Sequence, residues 1–151
     1  MALLNFKQLP QSRILLGQEV PSERGLFELI ARTVAGGDGL MERRVRDRLA
    51  RRHARQSAAL GAAVALPHAA IPALTSTRAV YIRCCSPIPM ATPDEKGITD
   101  VLAIVVPPPG LAADYDLLMS LTAFLQHPDK RSSLQRARSP AEVQAILLGE
   151  G

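Results

Sequence analysis

The chain has no tryptophan, three phenylalanines and two tyrosines, so aromatics make up only 3% of it. Aliphatic side chains must therefore fill the interior, and no aromatic platform for stacking nucleobases is evident. Its two cysteines, Cys84 and Cys85, are adjacent. On an extended chain neighbouring side chains point to opposite faces, which sets the pair against a disulfide and reads as reduced strand residues. Without a second pair at ligand spacing, a zinc site is excluded, and neither metal nor cofactor is expected. No stretch approaches the roughly eighteen apolar residues that a bilayer span needs, so no membrane insertion is expected. Met1 to Pro10 lacks a basic leader, a long apolar core and a small-residue cleavage site, and the expectation is a soluble cytoplasmic protein.

What is present suits a globular fold. At 151 residues, 47% of them hydrophobic, the chain is expected to form a single domain over 1–151, with a core over about 12–148. The net charge of +4 is concentrated. Arg43, Arg44, Arg46, Arg48, Arg51, Arg52 and Arg55 crowd one segment. A solvated helix face is the first reading, a docking surface for an acidic protein the second and nucleic acid the last. A helix spreads these arginines around much of its circumference, and no helix-turn-helix or other reader module is evident, which argues against nucleic acid.

Local signals give the order of elements. Arg13 to Leu16, ending at Gly17, reads as a first edge strand. Ser22 caps a helix carrying Leu26, Leu29, Ile30, Thr33 and Val34, stopped by Gly36-Gly37. Asp38 caps a second helix over about Gly39 to Arg52 with Val45 and Leu49 in its apolar stripe. Ala54 to Ala63 reads as a linker, and Val64 to Leu66 as a strand leading to His68. Ala79 to Cys85 is a further strand, with Val80, Ile82 and Cys84 on one face and Tyr81, Arg83 and Cys85 on the other. Ser86 to Pro93 reads as irregular because of its prolines. Ile98 to Val106, apolar on both faces, predicts a central covered strand. A third helix spans about Ala112 to Gln126, Asp129 caps a short one through Arg136, and Ser139-Pro140-Ala141-Glu142 starts the last, with Gly149 as its stop. This alternation predicts an α/β fold: a mixed β-sheet of about four to five strands with helices packed on both faces.

The organising stretch is Gly61-Ala62-Ala63-Val64-Ala65-Leu66-Pro67-His68. A short apolar strand that delivers one histidine to its carboxyl end places a reactive group at the lip of a sheet. Imidazole titrates near neutrality and can attack phosphorus, and Pro67 fixes its own φ just before it. An isolated histidine in such a run is also a common core or loop residue. The run from Arg52 through Ser57 and Gly61 to Pro67-His68 resembles the active-site segment of enzyme IIA domains of the bacterial phosphotransferase system. The branch is the fructose, mannitol and nitrogen-regulatory one, and the likeness extends over about residues 12 to 148. In length and lack of further domains the chain is most like the stand-alone nitrogen-regulatory enzyme IIA.

That resemblance implies the enzyme IIA fold, His68 as phosphoryl acceptor, Arg52 as the arginine that stabilises the phosphate, and Ser57 as a donor contact to it. It also implies a histidine phosphocarrier protein as donor, and regulatory targets such as a sensor kinase or a potassium transporter. One departure stands out: Asp114 occupies the position of the family's second histidine. A carboxylate about 5 Å from a phosphoryl oxygen would oppose it by roughly 3 kcal/mol per charge pair at an effective dielectric near 20. Asp114 is read either as a helix cap aimed away from His68 or as acceptor for the imidazole's other nitrogen. The turn is also thinned, with alanine where other small residues or asparagine are usual. The expected function is a regulatory phosphocarrier, with a non-phosphorylatable interaction module as the alternative and a basic nucleic-acid binder behind both. His53 and His127 read as surface residues.

Overall fold

The computed structural model describes residues 3–90, 96–109 and 112–148. A short 3-10 turn, Gln11–Arg13, leads into β1 (Ile14–Gln18). Next come α1 (Glu23–Ala35), α2 (Gly39–Arg55), β2 (Ala59–Gly61), β3 (Val64–Ala65) and β4 (His68–Ala70). The order ends with β5 (Arg78–Ile88), β6 (Ile98–Val106), α3 (Ala112–Gln126), α4 (Pro128–Arg136) and α5 (Pro140–Leu147). The six-stranded sheet has the order β1-β5-β6-β3-β2, with β4 also on β6. It is mixed: β5 and β6 are antiparallel, whereas β1 joins β5, and β3 and β4 join β6, in parallel.

Two apolar layers hold helices on opposite faces of this sheet, as the sequence predicts. Leu26, Ile30 and Val34 of α1 and Val45 and Leu49 of α2 meet Val80, Ile82, Val101 and Val105. Leu121 and Leu125 of α3, Leu134 of α4, and Val143 and Leu147 of α5 meet Tyr81, Leu102 and Ile104. The period-two alternation along β6 feeds both layers, which is why its sequence is apolar at nearly every position. Each fully buried aliphatic side chain contributes roughly 1.5–3 kcal/mol from burial.

The helix signals are realised in detail. Ser22 Oγ accepts the Gly25 N–H at 3.0 Å, and Gly36 closes α1 in the left-handed region with φ 57°. Asp38 accepts from the Leu40 and Met41 N–H groups. Ser139 Oγ accepts from Glu142 N–H, while the Glu142 carboxylate accepts from Arg138 N–H at 3.0 Å.

Several boundaries differ from the sequence reading. Ala54 to Ala63, a linker by composition, contains the last residues of α2 and the strand β2, because Ala59 and Gly61 find partners in β3. Strand β5 runs on through Ser86 and Pro87 to Ile88, with a register shift after Arg83. Beyond Cys84 no β1 partner follows on its other side, and the missing N–H of Pro87 is tolerated there. The cap of α4 is His127, whose Nδ1 accepts the Lys130 N–H, with Pro128 as the first helical residue in place of an Asp129 cap. His127 is exposed, as expected, and Gly149 lies outside the described residues.

The sheet also contains a polar knot that sequence patterning hides. Tyr81 Oη donates to Asp100, and Arg83 Nε reaches the same carboxylate oxygen at 3.0 Å. Arg83 further donates to the carbonyls of Leu134 and Ala137, tying the α4–α5 junction to β5 and β6. Thr99 Oγ1 occupies the other Asp100 oxygen at 2.9 Å. The buried charge of Asp100 is thus paired and hydrogen-bonded on both sides, as a buried carboxylate must be. The two cysteines part as expected, Cys84 buried and Cys85 exposed, and burial first, then the neighbouring Asp100, pushes the Cys84 thiol up to about 11.

Candidate functional site

The strand that carries His68 is broken in two. Val64 lies opposite Asp100, Ala65 opposite Val101 and, beyond Leu66 and Pro67, His68 opposite Ile104. The register is kept across the gap, so β3 and β4 are two halves of one line along β6. Pro67 has no N–H to give, but its carbonyl still accepts from Ile104 N–H at 2.9 Å. His68 therefore opens the second half-strand instead of standing at the carboxyl end of the first. Val64 and Leu66 point into the layer under α3, α4 and α5. Two residues further on, His68 shares their face and looks towards α3.

Its imidazole is half-buried and bonded on one side: Nδ1 lies 2.9 Å from the Leu66 carbonyl oxygen. A carbonyl only accepts, so Nδ1 carries the proton and Nε2 is left with the lone pair. No hydrogen bond engages Nε2 among the described residues. Desolvation by burial lowers the His68 pKa from its ordinary value and Arg52 lowers it further, while the bond to Leu66 opposes them. The ring is thus held neutral at pH 7 in one tautomer, the state in which imidazole is a nucleophile.

His68 lines an open cleft of about 420 Å3 with Arg52, Gln56, Ser57, Leu66, Tyr115 and Met119 among its walls. Arg52 stands in the last turn of α2, is exposed, and has no salt bridge among the described residues. Ser57 lies beyond the helix end, where its Oγ accepts the Ala59 N–H at 3.2 Å, so its own proton stays available. Asp114 is in the first turn of α3 and lines an adjoining hollow that also contains Arg52 and His68. Its Oδ1 lies 3.4 Å from Thr77 Oγ1. The imidazole nitrogen that bears the proton is paired with Leu66, which rules out the reading of Asp114 as its acceptor. Asp114 lies inside the first turn of α3, which starts at Ala112, so it is not the helix cap of the other reading.

Two features of the site were not legible beforehand. His53, read as a surface residue, has a side chain only 10% exposed. Its Nδ1 accepts the Ala58 N–H at 3.1 Å, its Nε2 meets Glu23 at 2.9 Å, and its ring packs edge-on against Phe27. It fastens the turn that follows α2 to α1. The second feature is a stripe on α3: Tyr115, Met119 and Thr122, at helical spacing, form the wall facing Ser57 and His68. Tyr115 and Met119 are exposed, lying off the buried Leu121–Leu125 face, and large apolar residues off a helix stripe were the available signal.

The site is thus a sheet-borne, singly bonded histidine that shares an open cleft with Arg52. The chain belongs to the family described as the Phosphoenolpyruvate-dependent sugar phosphotransferase system, EIIA 2, which it matches over residues 7–149. Within that family it is akin to the nitrogen-regulatory proteins. The nitrogen regulatory protein of Bradyrhizobium diazoefficiens is 26% identical over 135 residues, 89% of this chain and 88% of that one. The crystal structure of the nitrogen regulatory protein IIA-Ntr from Neisseria meningitidis superposes with a TM-score of 0.87 at 29% identity, covering 93% of this chain and 97% of that one. The mannitol IIA of Escherichia coli shares the fold, with a TM-score of 0.72 at 17% identity over 92% of this chain and 98% of its own. Among the described residues no helix is long and apolar enough to cross a membrane.

Proposed function

We propose that this protein is a cytoplasmic regulatory phosphocarrier that accepts a phosphoryl group on Nε2 of His68 from the phosphohistidine of a small phosphocarrier protein. The observation that carries this reading is the bond from His68 Nδ1 to the Leu66 carbonyl, which leaves the second nitrogen unprotonated beside Arg52. As the Nε2–P bond forms, the donor's P–N bond breaks and its electron pair returns to the donor imidazole. The Nδ1 proton stays in place, and the Leu66 carbonyl faces the positive charge that the ring acquires. The charge spread over the phosphoryl oxygens is met by the Arg52 guanidinium and the Ser57 hydroxyl. Positioning and neutralisation are the whole of the catalysis, so a carrier needs nothing further from its own chain.

Regulation follows from the same site. A dianion on His68 changes the charge of the cleft rim, and a partner reading that rim, such as a sensor kinase or potassium transporter, would distinguish the two states. The kinship to nitrogen regulatory proteins supports this role over sugar uptake. The rival reading, an interaction module that takes no phosphate, is favoured by one observation: the Asp114 carboxylate shares a hollow with His68. Incubation with phosphoenolpyruvate, enzyme I and the phosphocarrier decides between them. An acid-labile phosphate seen by intact mass, and lost in His68→Ala, is expected. Its absence where a standard family member is labelled would leave the interaction module.

A further inference from the structure

Strand β4 has β6 on one side and no strand on the other among the described residues. Ile71 N–H and the Pro67 carbonyl both bond to β6, so alternation directs Ala69 towards β6 and the backbone N–H and C=O groups of His68 and Ala70 outward. The sheet therefore ends here in an unpaired edge immediately at the candidate acceptor. It is not covered by charged side chains of its own, since Ala69 and Ala70 present only methyl groups.

The two walls of this edge differ in chemistry. On the α2 side a hollow is lined by Arg48, Arg51, Arg52 and Arg55, with Ala69 and Ala70 as its floor. The seven arginines of α2 together spread around much of its circumference, but these four, Arg48, Arg51, Arg52 and Arg55, follow the i, i+3, i+4, i+7 spacing of a single helical stripe. None of them has a salt bridge or side-chain hydrogen bond among the described residues, whereas Arg46 is paired with Asp47 and Arg44 reaches the Pro72 carbonyl. The opposite wall is α3, where Leu118 and Tyr115 are apolar apart from the phenol and Asp114 is the acidic member. Helix α2 packs on one face of the sheet and α3 on the other.

We propose that this groove docks an extended acidic segment of a partner protein, added as a strand to the free edge of β4. Successive side chains of an added strand alternate between the two faces, so every second one meets the arginine stripe and the others meet α3. The fitting sequence alternates acidic with apolar residues over about four to six positions. Main-chain pairing to His68 and Ala70 is something a polypeptide supplies and a nucleic acid does not, and the groove has no aromatic on its arginine wall to stack a base. Both considerations select an acidic peptide over nucleic acid. A bound segment engages Arg52 and the backbone of His68, so it competes with phosphoryl transfer. That last consequence rests on the carrier reading of His68, whereas docking itself does not.

The probe is a fluorescein-labelled eight-residue peptide of alternating Glu and Val, followed by anisotropy with the full-length protein at low and high salt. Two further peptides carry N-methyl groups on one or the other alternate set of residues. Binding that weakens with salt, falls at least tenfold in the Arg48→Glu, Arg51→Glu, Arg55→Glu triple variant, and is lost for one methylated peptide but not the other is the expected result. Amide shifts at His68 and Ala70 on titration show where the peptide sits, and an unchanged circular dichroism melt shows that the variant is folded. Equal binding of both methylated peptides, no binding by the wild type, or tighter binding of an eight-residue oligothymidylate would overturn the proposal. So would self-association abolished by the same arginine reversals, which would place a second copy in the groove. The peptide is also expected to slow His68 phosphorylation. If His68 takes no phosphate with or without peptide, the carrier reading fails while the anisotropy still reports on the docking site.

Discussion

His53 accepts a hydrogen bond from the Ala58 N–H at 3.1 Å, and through it the turn that carries Ser57 is joined to α2 and α1. The same ring holds Glu23 with its other nitrogen and rests on Phe27. Replacing it by alanine strands a backbone donor and opens a gap at the α1–α2 contact. We expect His53→Ala to lose about 2–3 kcal/mol in urea unfolding and to slow phosphoryl acceptance. His53→Gln should recover part of both, and a wild-type transfer rate in a destabilised His53→Ala would show that the turn holds without this fastening.

The titration of His68 has a defined sign. Its folded pKa is lowered, chiefly by burial and then by Arg52, so the unfolded chain binds the proton first as pH falls. Stability contributed by the neutral ring is present above about 6.5, the unfolded value, and declines as pH drops from there towards the folded pKa. NMR titration of the ring should give a midpoint below 6.5, and the pH at which transfer is half-maximal should track it. Arg52→Ala should move the midpoint up and reduce the transfer rate about ten- to hundredfold. A midpoint that stays put in Arg52→Ala would remove the guanidinium from the ring's surroundings.

Asp114 shares a hollow with His68 and Arg52 and brings negative charge to a site proposed to hold a dianion. Asp114→Asn should raise the phosphorylated fraction at equilibrium by about two- to tenfold, a reduced form of the full Coulomb term because water enters the rim. The comparison is made by intact mass at fixed donor ratio. A fall in that fraction would mean that the carboxylate helps hold the site in order.

The turn between β2 and β3 is strained in a correctable way. Ala62 and Ala63 both have positive φ, at 53° and 65°, a conformation that costs a residue with a Cβ roughly 1 kcal/mol or more. They are held there by their carbonyls: that of Ala62 accepts from Gln135 Nε2 at 3.2 Å, and that of Ala63 from Thr99 and Asp100 N–H at 2.9 and 3.1 Å. Ala62→Asn with Ala63→Gly should therefore stabilise the protein by about 1–2 kcal/mol in denaturant unfolding without moving the strands. A loss of stability would show that the methyl groups, both partly buried, contribute more than the strain.

The sequence announced those elements whose information is local. Ser22, Gly36, Asp38 and Ser139 mark helix ends by chemistry acting within a few residues, and all serve as read. The apolar run of β6 and the two faces of β5 were legible for the same reason. What escaped depends on partners distant in sequence. Strand β2 exists because Ala59 and Gly61 meet β3, and Pro67 interrupts a strand whose register only β6 reveals. His53 carries no mark of the Phe27 and Glu23 that enclose it, and the Tyr115–Met119–Thr122 wall is defined by the cleft it faces. His68 stands out in the sequence by the apolar run that delivers it, whereas Arg52, Ser57 and Asp114 are marked only by a resemblance, and the structure brings all four around two adjoining hollows.

With no tryptophan, the chain's emission on excitation of its phenols comes from Tyr81 and Tyr115. Tyr81 is sealed in the sheet with its hydroxyl on the Asp100 carboxylate, a contact that quenches the phenol, whereas Tyr115 stands 65% exposed at the lip of the His68 cleft. Unfolding should therefore brighten the first phenol and occupancy of the cleft should perturb the second. The native protein thus carries separate intrinsic optical signals for its integrity and for what enters its cleft.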